Sequence, residues 1–288
     1  MLLSTFTGNK SIKESLLGAL ASGRLSHGLL LCGEKGLGVN HFAYLLAADI
    51  TGSTDTDGIA EGKSPQVQVV RGEGASGLIH VDKIRDINNN VNFSSINGEK
   101  RVVIIENCEN FNRSSANALL KNLEEPKDDI TYILTTNNPR SILATIRSRC
   151  AIFTLNNPSP EETRQYFLSS GRDMQAVESL MGIYGENIGK IKAALENEKR
   201  YSILQTAVGV FGSINTGDSY SVAKNCYVYA KNKEDFRLML EDLRDISHRK
   251  LSPQGIKIIN TVQKYTEILQ TNANLNLVME NFAVEITK

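Results

Sequence analysis

Short apolar runs alternate with helical patterns over the first 155 residues of the chain. Most of these runs are nearly continuous, as is typical of strands covered on both faces, and one alternates between apolar and polar positions. Between the runs, apolar residues recur with the period of an amphipathic helix. The predicted strands are 29–32, 66–71, 101–106, 131–136 and 151–155. Strands that alternate with helices predict an α/β fold with a parallel sheet.

After residue 155 the pattern is helical throughout. The change is marked by Ser159, which is placed to cap a helix, by Pro160 at the first helical position, and by Glu162, which completes a capping box. The helical part has room for about three short helices and then about five longer ones. The predicted domains are therefore 1–156, 157–199 and 200–288.

Three local signals predict how the first part is connected. Ser11 and Glu14 have the spacing of a capping box, which predicts a helix that begins after Ser11. Residues 51–65 are rich in Gly, Ser, Thr and Asp, which predicts a surface loop. Asn97 and Gly98 predict a turn before the next strand.

A glycine-rich turn joins the first predicted strand to the helix after it. Gly33 and Gly38 have the G-x-x-x-x-G spacing of a phosphate-binding loop, with Gly36 between them. Such a loop needs Lys and then Ser or Thr at the next two positions, where this chain has Val39 and Asn40. Without the groups that hold phosphate and Mg²⁺, the turn keeps the shape of the loop and lacks its chemistry. A bare glycine turn between strand and helix is the alternative interpretation.

The strand predicted at 101–106 ends in a carboxylate. In a parallel sheet, that end of the strand is where an NTPase holds Mg²⁺ and orients water. The pair here is Glu106 and Asn107 instead of the usual Asp-Glu, and Asn107 has no carboxylate with which to activate a water molecule. The plainer interpretation is a buried strand that ends in a polar loop.

The composition and net charge of the chain limit the classes of protein to which it can belong. With 288 residues, 41% hydrophobic and 22% charged, the chain is an ordinary globular protein with a substantial core. A net charge of zero provides no overall basic field for nucleic acid. The four cysteines are far apart and form no C-x-x-C, so neither a zinc site nor a disulfide framework is expected. No signal peptide or membrane span is predicted, and a cytoplasmic location is expected.

Two motifs point to a family. Residues 117–126 read Asn-Ala-Leu-Leu-Lys-Asn-Leu-Glu-Glu-Pro, and Ser148, Arg149 and Cys150 form a Ser-Arg-Cys triplet before the last predicted strand. Together with the eroded phosphate loop, this order resembles the AAA+ subunits of bacterial sliding-clamp loaders. Because both nucleotide motifs are eroded, the chain is similar to the delta-prime group of these DNA polymerase III subunits. The resemblance covers residues 29–155.

The resemblance implies a RecA-like AAA+ domain at 1–156, a small helical lid at 157–199 and a helical collar at 200–288, through which five subunits form a ring. It implies a subunit that is not itself an enzyme and acts as a structural wedge, with Gly33, Gly36 and Gly38 as a vestigial phosphate loop. No cofactor and no metal are expected. The implied partners are the motor subunits and delta, with the sliding clamp and primer-template DNA reached through the complex.

The resemblance also carries over individual positions. Arg149 would be offered in trans to the ATP of a neighbouring motor subunit, where its planar donor group suits the γ-phosphate. We expect it to project near the carboxyl ends of the sheet, and an ion pair within its own domain is the alternative. Lys190 lies near the lid position that senses phosphate in the family, but a solvated Lys is expected here. A cysteine-rich zinc module found in many members is replaced by residues 51–65.

Two other function classes compete with this interpretation. An active ATPase motor subunit with an atypical phosphate loop is disfavoured by Val39, since Lys35 lies earlier in the loop than the required Lys. A stand-alone nucleic-acid binder is disfavoured by the zero net charge and by an aromatic content of 6%.

Overall fold

The computed structural model describes residues 1–74, 77–91, 100–126, 129–249 and 252–288, with the side chains of 88–91 excepted. The chain divides into two compact units, Met1–Thr163 and Arg164–Lys288. The predicted division into three domains stays a prediction, and the predicted turn at Asn97 and Gly98 lies outside the described residues. Within the described part of the chain, no helix is long and apolar enough to cross a membrane.

A five-stranded parallel sheet forms the centre of the first unit. Its strands are β1 (Gly28–Cys32), β2 (Val67–Val70), β3 (Arg101–Ile105), β4 (Ile130–Thr136) and β5 (Ala151–Thr154). Their order in space is β2-β3-β4-β1-β5, and all neighbours run parallel. The five predicted strands and the α/β class are confirmed, with no strand end displaced by more than one residue.

Helices cover both faces of this sheet. They are α1 (Lys10–Ala21), α2 (Val39–Thr51), α3 (Thr56–Ala60), α4 (Val81–Val91), α5 (Arg113–Glu124) and α6 (Ala144–Arg147). Leu29 and Leu31 of β1 enter a core shared with α1 and α2, whereas Leu30 and Cys32 enter a core shared with α4, α5 and α6. The alternation follows from the two-residue period of a strand, and it explains why the sequence of β1 is apolar at every position.

One predicted capping box is confirmed and the other is wrong. Ser159 and Glu162 cap reciprocally, since Ser159 N donates to Glu162 Oε2 (2.7 Å) and Glu162 N donates to Ser159 Oγ (3.2 Å). Helix α1 instead begins after Asn9, so Ser11 lies inside it. The side chain of Asn9 exchanges two hydrogen bonds with the backbone of Asn156 (2.9 and 3.0 Å). A contact between distant parts of the chain therefore sets the start of α1.

The predicted surface loop at 51–65 contains a short helix. Helix α3 is capped by Asp55, whose Oδ1 accepts from the N of Gly58 at 2.7 Å. Ile59 of this helix is fully buried in the core beneath α2. A single well-placed apolar side chain thus converts a segment of loop composition into an ordered turn of helix.

In the described residues of the second unit, every regular element of secondary structure is a helix. Its helices are α7 (Pro160–Ser169), which begins in the last residues of the first unit, α8 (Met174–Tyr184), α9 (Ile188–Glu196), α10 (Glu198–Asn215), α11 (Ser219–Tyr227), α12 (Lys233–Arg249), α13 (Pro253–Leu269) and α14 (Leu275–Thr287). One hydrophobic core extends from Phe167 to Ile286. The predicted lid and collar segments therefore share a core.

A buried charge cluster crosses this helical core. Both terminal nitrogens of the Arg200 guanidinium donate to the carboxylate of Asp242, which is 0% exposed. Tyr184 donates its hydroxyl to Asp242 Oδ1 at 2.8 Å. Three helices, α8, α10 and α12, are thereby joined at one carboxylate. The interactions of a buried carboxylate with such partners depend strongly on geometry, because each donor group must approach the carboxylate at the correct angle.

We expect Asp242→Ala to lower the free energy of unfolding by about 3–5 kcal/mol, because the Arg200 guanidinium is left buried without its counter-ion. Urea denaturation followed by circular dichroism measures the change. The control is Glu178→Ala, which removes the exposed partner of Arg164 and should have a much smaller effect. Equal effects of the two substitutions would show that the cluster around Asp242 does not stabilise the unit.

Candidate functional site

The loop between β1 and α2 has the tight path of a phosphate-binding loop. Gly36 and Gly38 adopt positive φ angles of 95° and 73°, a conformation that favours glycine. Gly38 directly precedes α2, and its carbonyl accepts the N–H of Phe42 at 2.8 Å. A Cβ on Gly33 would lie 2.8 Å from Cγ2 of Val39, so a side chain there would collide with the first residue of the helix.

Val39 occupies the position of the missing lysine. Its side chain is 6% exposed and packs in the core together with Leu31, Phe42 and Leu155. A lysine at this position of a functional loop reaches back over the phosphates. Val39 instead anchors the start of α2 to the sheet, and no cation leaves the loop from this residue.

The carboxylate of Glu106, which follows β3, is bound by three groups of its own chain. Arg71 Nη2 lies 2.9 Å from Oε1. Tyr44 donates its hydroxyl to Oε1 at 2.5 Å, and Asn40 donates Nδ2 to Oε2 at 3.2 Å. Arg71 follows the end of β2, and Asn40 and Tyr44 lie one turn apart on α2. The carboxylate is 8% exposed, and a guanidinium neutralises it where an NTPase would hold Mg²⁺.

The hydrogen bonds around Arg71 fix its guanidinium in place. The same Nη2 also donates to the Tyr44 hydroxyl at 3.1 Å and to the carbonyl of Ala60 at 2.5 Å. Burial, reinforced by the hydrogen bond to Glu106, raises the pKa of Tyr44 to about 12, so its hydroxyl stays a donor at neutral pH. Burial opposes the charge of Arg71, but its bonds to Tyr44 and Glu106 raise the pKa of the guanidinium overall.

Asn40 connects this carboxylate to the neighbouring strand. Thr135 Oγ1 donates to Asn40 Oδ1 at 2.7 Å, and the same hydroxyl oxygen accepts the N–H of Asn107 at 3.1 Å. Asn107 adopts a left-handed backbone with φ of 52°. Both amide atoms of Asn40 are therefore engaged within the protein. The residue that replaces the Mg²⁺-binding hydroxyl joins α2, β3 and β4.

A cavity of about 280 Å³ lies beside the loop, at the ends of β4 and β5. Its described lining includes the carboxylate of Glu34 and the amides of Asn137 and Asn156, and it contains no Lys or Arg. Asn137 donates its N–H and its Nδ2 to Glu109 Oε1 at 3.2 and 3.4 Å. Because the charged side chain in the described lining is the carboxylate of Glu34, the lining itself offers a phosphate no positive partner.

Arg149 lies at the opposite edge of the sheet from the glycine loop. It precedes β5, and a Cβ on Gly28, the first residue of β1, would lie 3.0 Å from the Arg149 carbonyl oxygen. The prediction that Arg149 projects near the carboxyl ends of the strands is therefore wrong. The reason is topological, since a strand parallel to β1 must begin at the amino edge, and the chain returns there through α6.

The Arg149 guanidinium is paired within its own unit. Its Nη2 lies 2.6 Å from Oε1 of Glu124, the last residue of α5, and its Nη1 donates to the carbonyl of Thr145 at 2.9 Å. The side chain remains 35% exposed. Cys150, the next residue, packs against the core, and burial raises the pKa of its thiol to about 11. The cysteine of the triplet is thus a packing residue beside the core.

Lys190 is not a solvated lysine, and this prediction is corrected. Its Nζ lies 2.5 Å from Asp245 Oδ2, and both side chains are 16% exposed. The ion pair joins α9 to α12, one turn from the Asp242 cluster. Among the residues that the structure describes, no group of three His, Cys, Asp or Glu side chains is placed to hold a metal ion.

The parallel sheet, the glycine loop between β1 and α2, and the carboxylate after β3 define an α/β domain of the AAA+ class, followed by an all-helical unit. Residues 8–159 match the family described as DNA polymerase III, delta subunit. The chain belongs to this family.

Relatives with known names agree with this assignment. The chain is 32% identical to DNA polymerase III subunit tau of Escherichia coli over 54% of its own length and 26% of that protein. It is 31% identical to subunit delta' of Pseudomonas aeruginosa over 56% of its own length and 53% of that protein. The chain thus spans about a quarter of the first relative and about half of the second. A DNA polymerase III gamma subunit-related protein of Thermotoga maritima shares the fold, with a TM-score of 0.54 and 18% identity over 95% of this chain and 99% of that one.

Sequence reasoning identified the glycine loop, Glu106 and Arg149, and it missed Arg71 and Tyr44. Their signals are weak but visible. Arg71 follows a strand that neighbours β3, and Tyr44 lies four residues after Asn40 on the same helix. Glu124 lies within the family motif, but its contact with Arg149 requires knowing where the chain returns to the amino edge.

We expect Arg71→Ala to lower the free energy of unfolding by about 1–3 kcal/mol, because a nearly buried carboxylate loses its cation. Adding Glu106→Gln to the same chain should recover most of the loss, since the uncompensated charge is removed. Urea denaturation measures both changes, with Arg85→Ala at an exposed ion pair as the control. A double variant no more stable than Arg71→Ala alone would contradict the charge-neutralising role of Arg71.

Proposed function

We propose that this protein is a non-hydrolysing, delta-prime-like subunit of a DNA polymerase III clamp loader. In this role it acts as a structural wedge in a pentameric ring that loads the sliding clamp onto DNA. Family membership supports the clamp-loader assignment, and the matched residues include the loop, Glu106 and Arg149. In this role the protein is not itself an enzyme. Its nucleotide site is vestigial and its contribution to catalysis is made on a neighbour.

The observation that carries the non-hydrolysing role is the neutralisation of Glu106 by Arg71. A carboxylate at this position serves an ATPase by holding Mg²⁺ and orienting water. Here its oxygens accept bonds from Asn40, Tyr44 and Arg71, and Val39 supplies no ammonium group. A metal–nucleotide complex would have to displace an ion pair that is already satisfied. Sequence identity alone does not distinguish this role from that of a motor subunit. The identities to subunit tau of Escherichia coli and to subunit delta' of Pseudomonas aeruginosa are 32% and 31%.

Arg149 is proposed to act in trans, on the ATP of a neighbouring motor subunit. Its own glycine loop lies at the far end of β1, a strand of five residues that spans about 16 Å. Arg149 therefore lies at the other edge of the sheet from the glycine loop of its own unit, and its side chain is 35% exposed. A cationic donor of this kind stabilises the charge that develops on a phosphate in the transition state.

The helical collar at residues 200–288 is proposed to hold the other subunits, the motor subunits and delta. It exposes large apolar side chains at Tyr227, the last residue of α11, at the following Val228, and at Leu277 and Val284 on α14. Such side chains are common at interfaces between subunits. The clamp and primer-template DNA would be met through the assembled ring, in the cytoplasm.

The isolated protein is expected to show no tight binding and no hydrolysis of Mg-ATP. The loss of one charge-assisted contact of the lysine type alone weakens affinity by roughly ten- to a hundredfold. Titration calorimetry and a steady-state phosphate-release assay measure the two properties. The backbone N–H groups of the loop permit weak binding. A dissociation constant in the low micromolar range, or turnover by the pure protein, would support the motor-subunit alternative instead.

Arg149→Ala is expected to leave ring assembly intact and to lower the DNA- and clamp-stimulated ATPase rate of the complex about two- to tenfold. The effect is smaller than the roughly 10³- to 10⁵-fold of arginine fingers in GTPases, because only one of several ATP sites depends on this residue. The complex is reconstituted with its partner subunits, and assembly is checked by gel filtration. Arg147→Ala, on the same turn, is the control and should do less. Unchanged ATPase activity with Arg149→Ala would defeat the role in trans.

A further inference from the structure

We infer that Glu124 is a positioning residue for Arg149, holding its guanidinium in the orientation in which it is presented to a neighbouring subunit. This inference rests on the proposed role of Arg149 in trans. It assigns to the motif at 117–126 a task beyond helix formation, because the first of its two carboxylates bonds to the arginine of the Ser-Arg-Cys triplet.

Two elements hold the guanidinium from different sides. From α5, Glu124 Oε1 lies 2.6 Å from Nη2. From the α6 turn, the carbonyl of Thr145 accepts a hydrogen bond from Nη1 at 2.9 Å, and Ser148 Oγ lies 3.4 Å from the same nitrogen. Since both terminal nitrogens are bonded, the plane of the guanidinium is fixed, and the side chain remains 35% exposed. A flexible side chain is thereby restricted before any partner arrives.

The backbone behind this pair is fixed by close packing. A Cβ on Gly28 would lie 3.0 Å from the Arg149 carbonyl oxygen, 3.2 Å from Leu123 Cδ2 and 3.3 Å from Cys150 Sγ. The residue before Glu124 and the residue after Arg149 therefore meet at one glycine of β1. The backbones of Glu124 and Arg149 cannot shift relative to each other without disturbing this junction, so the core sets the separation of the two backbones.

Considered for the helix alone, a carboxylate at the position of Glu124 is electrostatically unfavourable. Glu124 is the last residue of α5, where a negative charge meets the negative end of the helix dipole. The carboxylate is also 48% exposed, and exposed ion pairs add little to stability. Neither local propensity nor stability accounts for a carboxylate at this point, whereas orientation of the exposed Arg149 does.

Pre-orientation affects the reacting state more than the binding of ATP. The guanidinium is needed where charge develops on the transferred phosphate, so a less ordered Arg149 should lower kcat and leave KM unchanged. Glu124→Gln keeps the length of the side chain and removes its charge. Glu125→Gln is the matched control, since among the described residues the ion pair of Arg149 is with Glu124 and not with Glu125.

The experiment compares complexes reconstituted with wild-type partners and with Glu124→Gln, Glu125→Gln, Arg149→Ala, or Glu124→Gln with Arg149→Ala. We expect Glu124→Gln to lower the stimulated kcat about two- to fivefold, the range of an exposed charge pair, with KM and assembly unchanged. Glu125→Gln should match the wild type. The double variant should equal Arg149→Ala alone, because a residue that acts through Arg149 has no effect without it.

The outcomes separate the two proposals. If Arg149→Ala lowers kcat and Glu124→Gln does not, the positioning role is wrong and the role in trans stands. If Glu124→Gln raises kcat, the ion pair restrains Arg149 instead of presenting it, and the inference is overturned. If Arg149→Ala has no effect, the proposed role of Arg149 in trans fails, and the positioning role fails with it. If Glu124→Gln still lowers kcat in the Arg149→Ala chain, Glu124 acts by another route and the inference fails.

Discussion

Every strand of the sheet runs parallel, and this single constraint separates the two candidate sites. A parallel strand must begin at the same edge as its neighbours, so the chain crosses the sheet again before each new strand. The turns after the strands gather the glycine loop, Glu106 and Asn137 at the carboxyl edge. The turn before β5 places Arg149 at the amino edge, beside the start of β1. Arg149, at the amino edge, is distant from a ligand bound at the carboxyl edge of its own sheet. A ligand that Arg149 contacts at a carboxyl edge would have to be bound to a different molecule.

At the carboxyl edge, the decisive interaction is that between Glu106 and Arg71. A nearly buried carboxylate needs a cation or several donors, and the chain supplies both from its own side chains. Next to this carboxylate, Val39 packs in the core and Asn40 joins two strands to the helix. Side chains at the two positions where a phosphate-binding loop has Lys and Ser or Thr thus make structural contacts here.

The second unit relies on the same physics for a different purpose. Asp242 and Asp245 lie one turn apart on α12 and bind Arg200 of α10 and Lys190 of α9. The Lys190–Asp245 pair links the segment expected to form a lid with the segment expected to form a collar, whereas Arg200 and Asp242 both lie in the collar segment. All four residues belong to helices that share one hydrophobic core. Buried ion pairs specify geometry more than they add stability, so the expected gain is a defined arrangement of these helices. Lys190 is consequently committed to the protein and is not available to sense a phosphate.

The sequence by itself determined the strands, the α/β class, the capping box of Ser159 and Glu162, and the glycine turn between β1 and α2. These features depend on the spacing of apolar residues and on short-range turn and cap chemistry, which neighbours along the chain dictate. It also predicted that Val39 and Asn107 remove the groups an ATPase needs. The predicted start of α1 at Ser11 was wrong, because the helix begins after Asn9, whose side chain is hydrogen-bonded to the backbone of Asn156. The predicted loop at residues 51–65 contains a helix, because the burial of Ile59 outweighs the loop-like composition.

Only the tertiary structure decided which side chains meet. Arg71 and Glu106 are 35 positions apart, Glu124 and Arg149 are 25 apart, and Lys190 and Asp245 are 55 apart. Such pairings depend on strand order and on the edge to which the chain returns, and no local pattern encodes either property. The same limit explains the misplacement of Arg149, whose neighbours in sequence are a helical turn and a strand but whose location follows from the whole sheet. The residue types were readable from the sequence, whereas their partners required the fold.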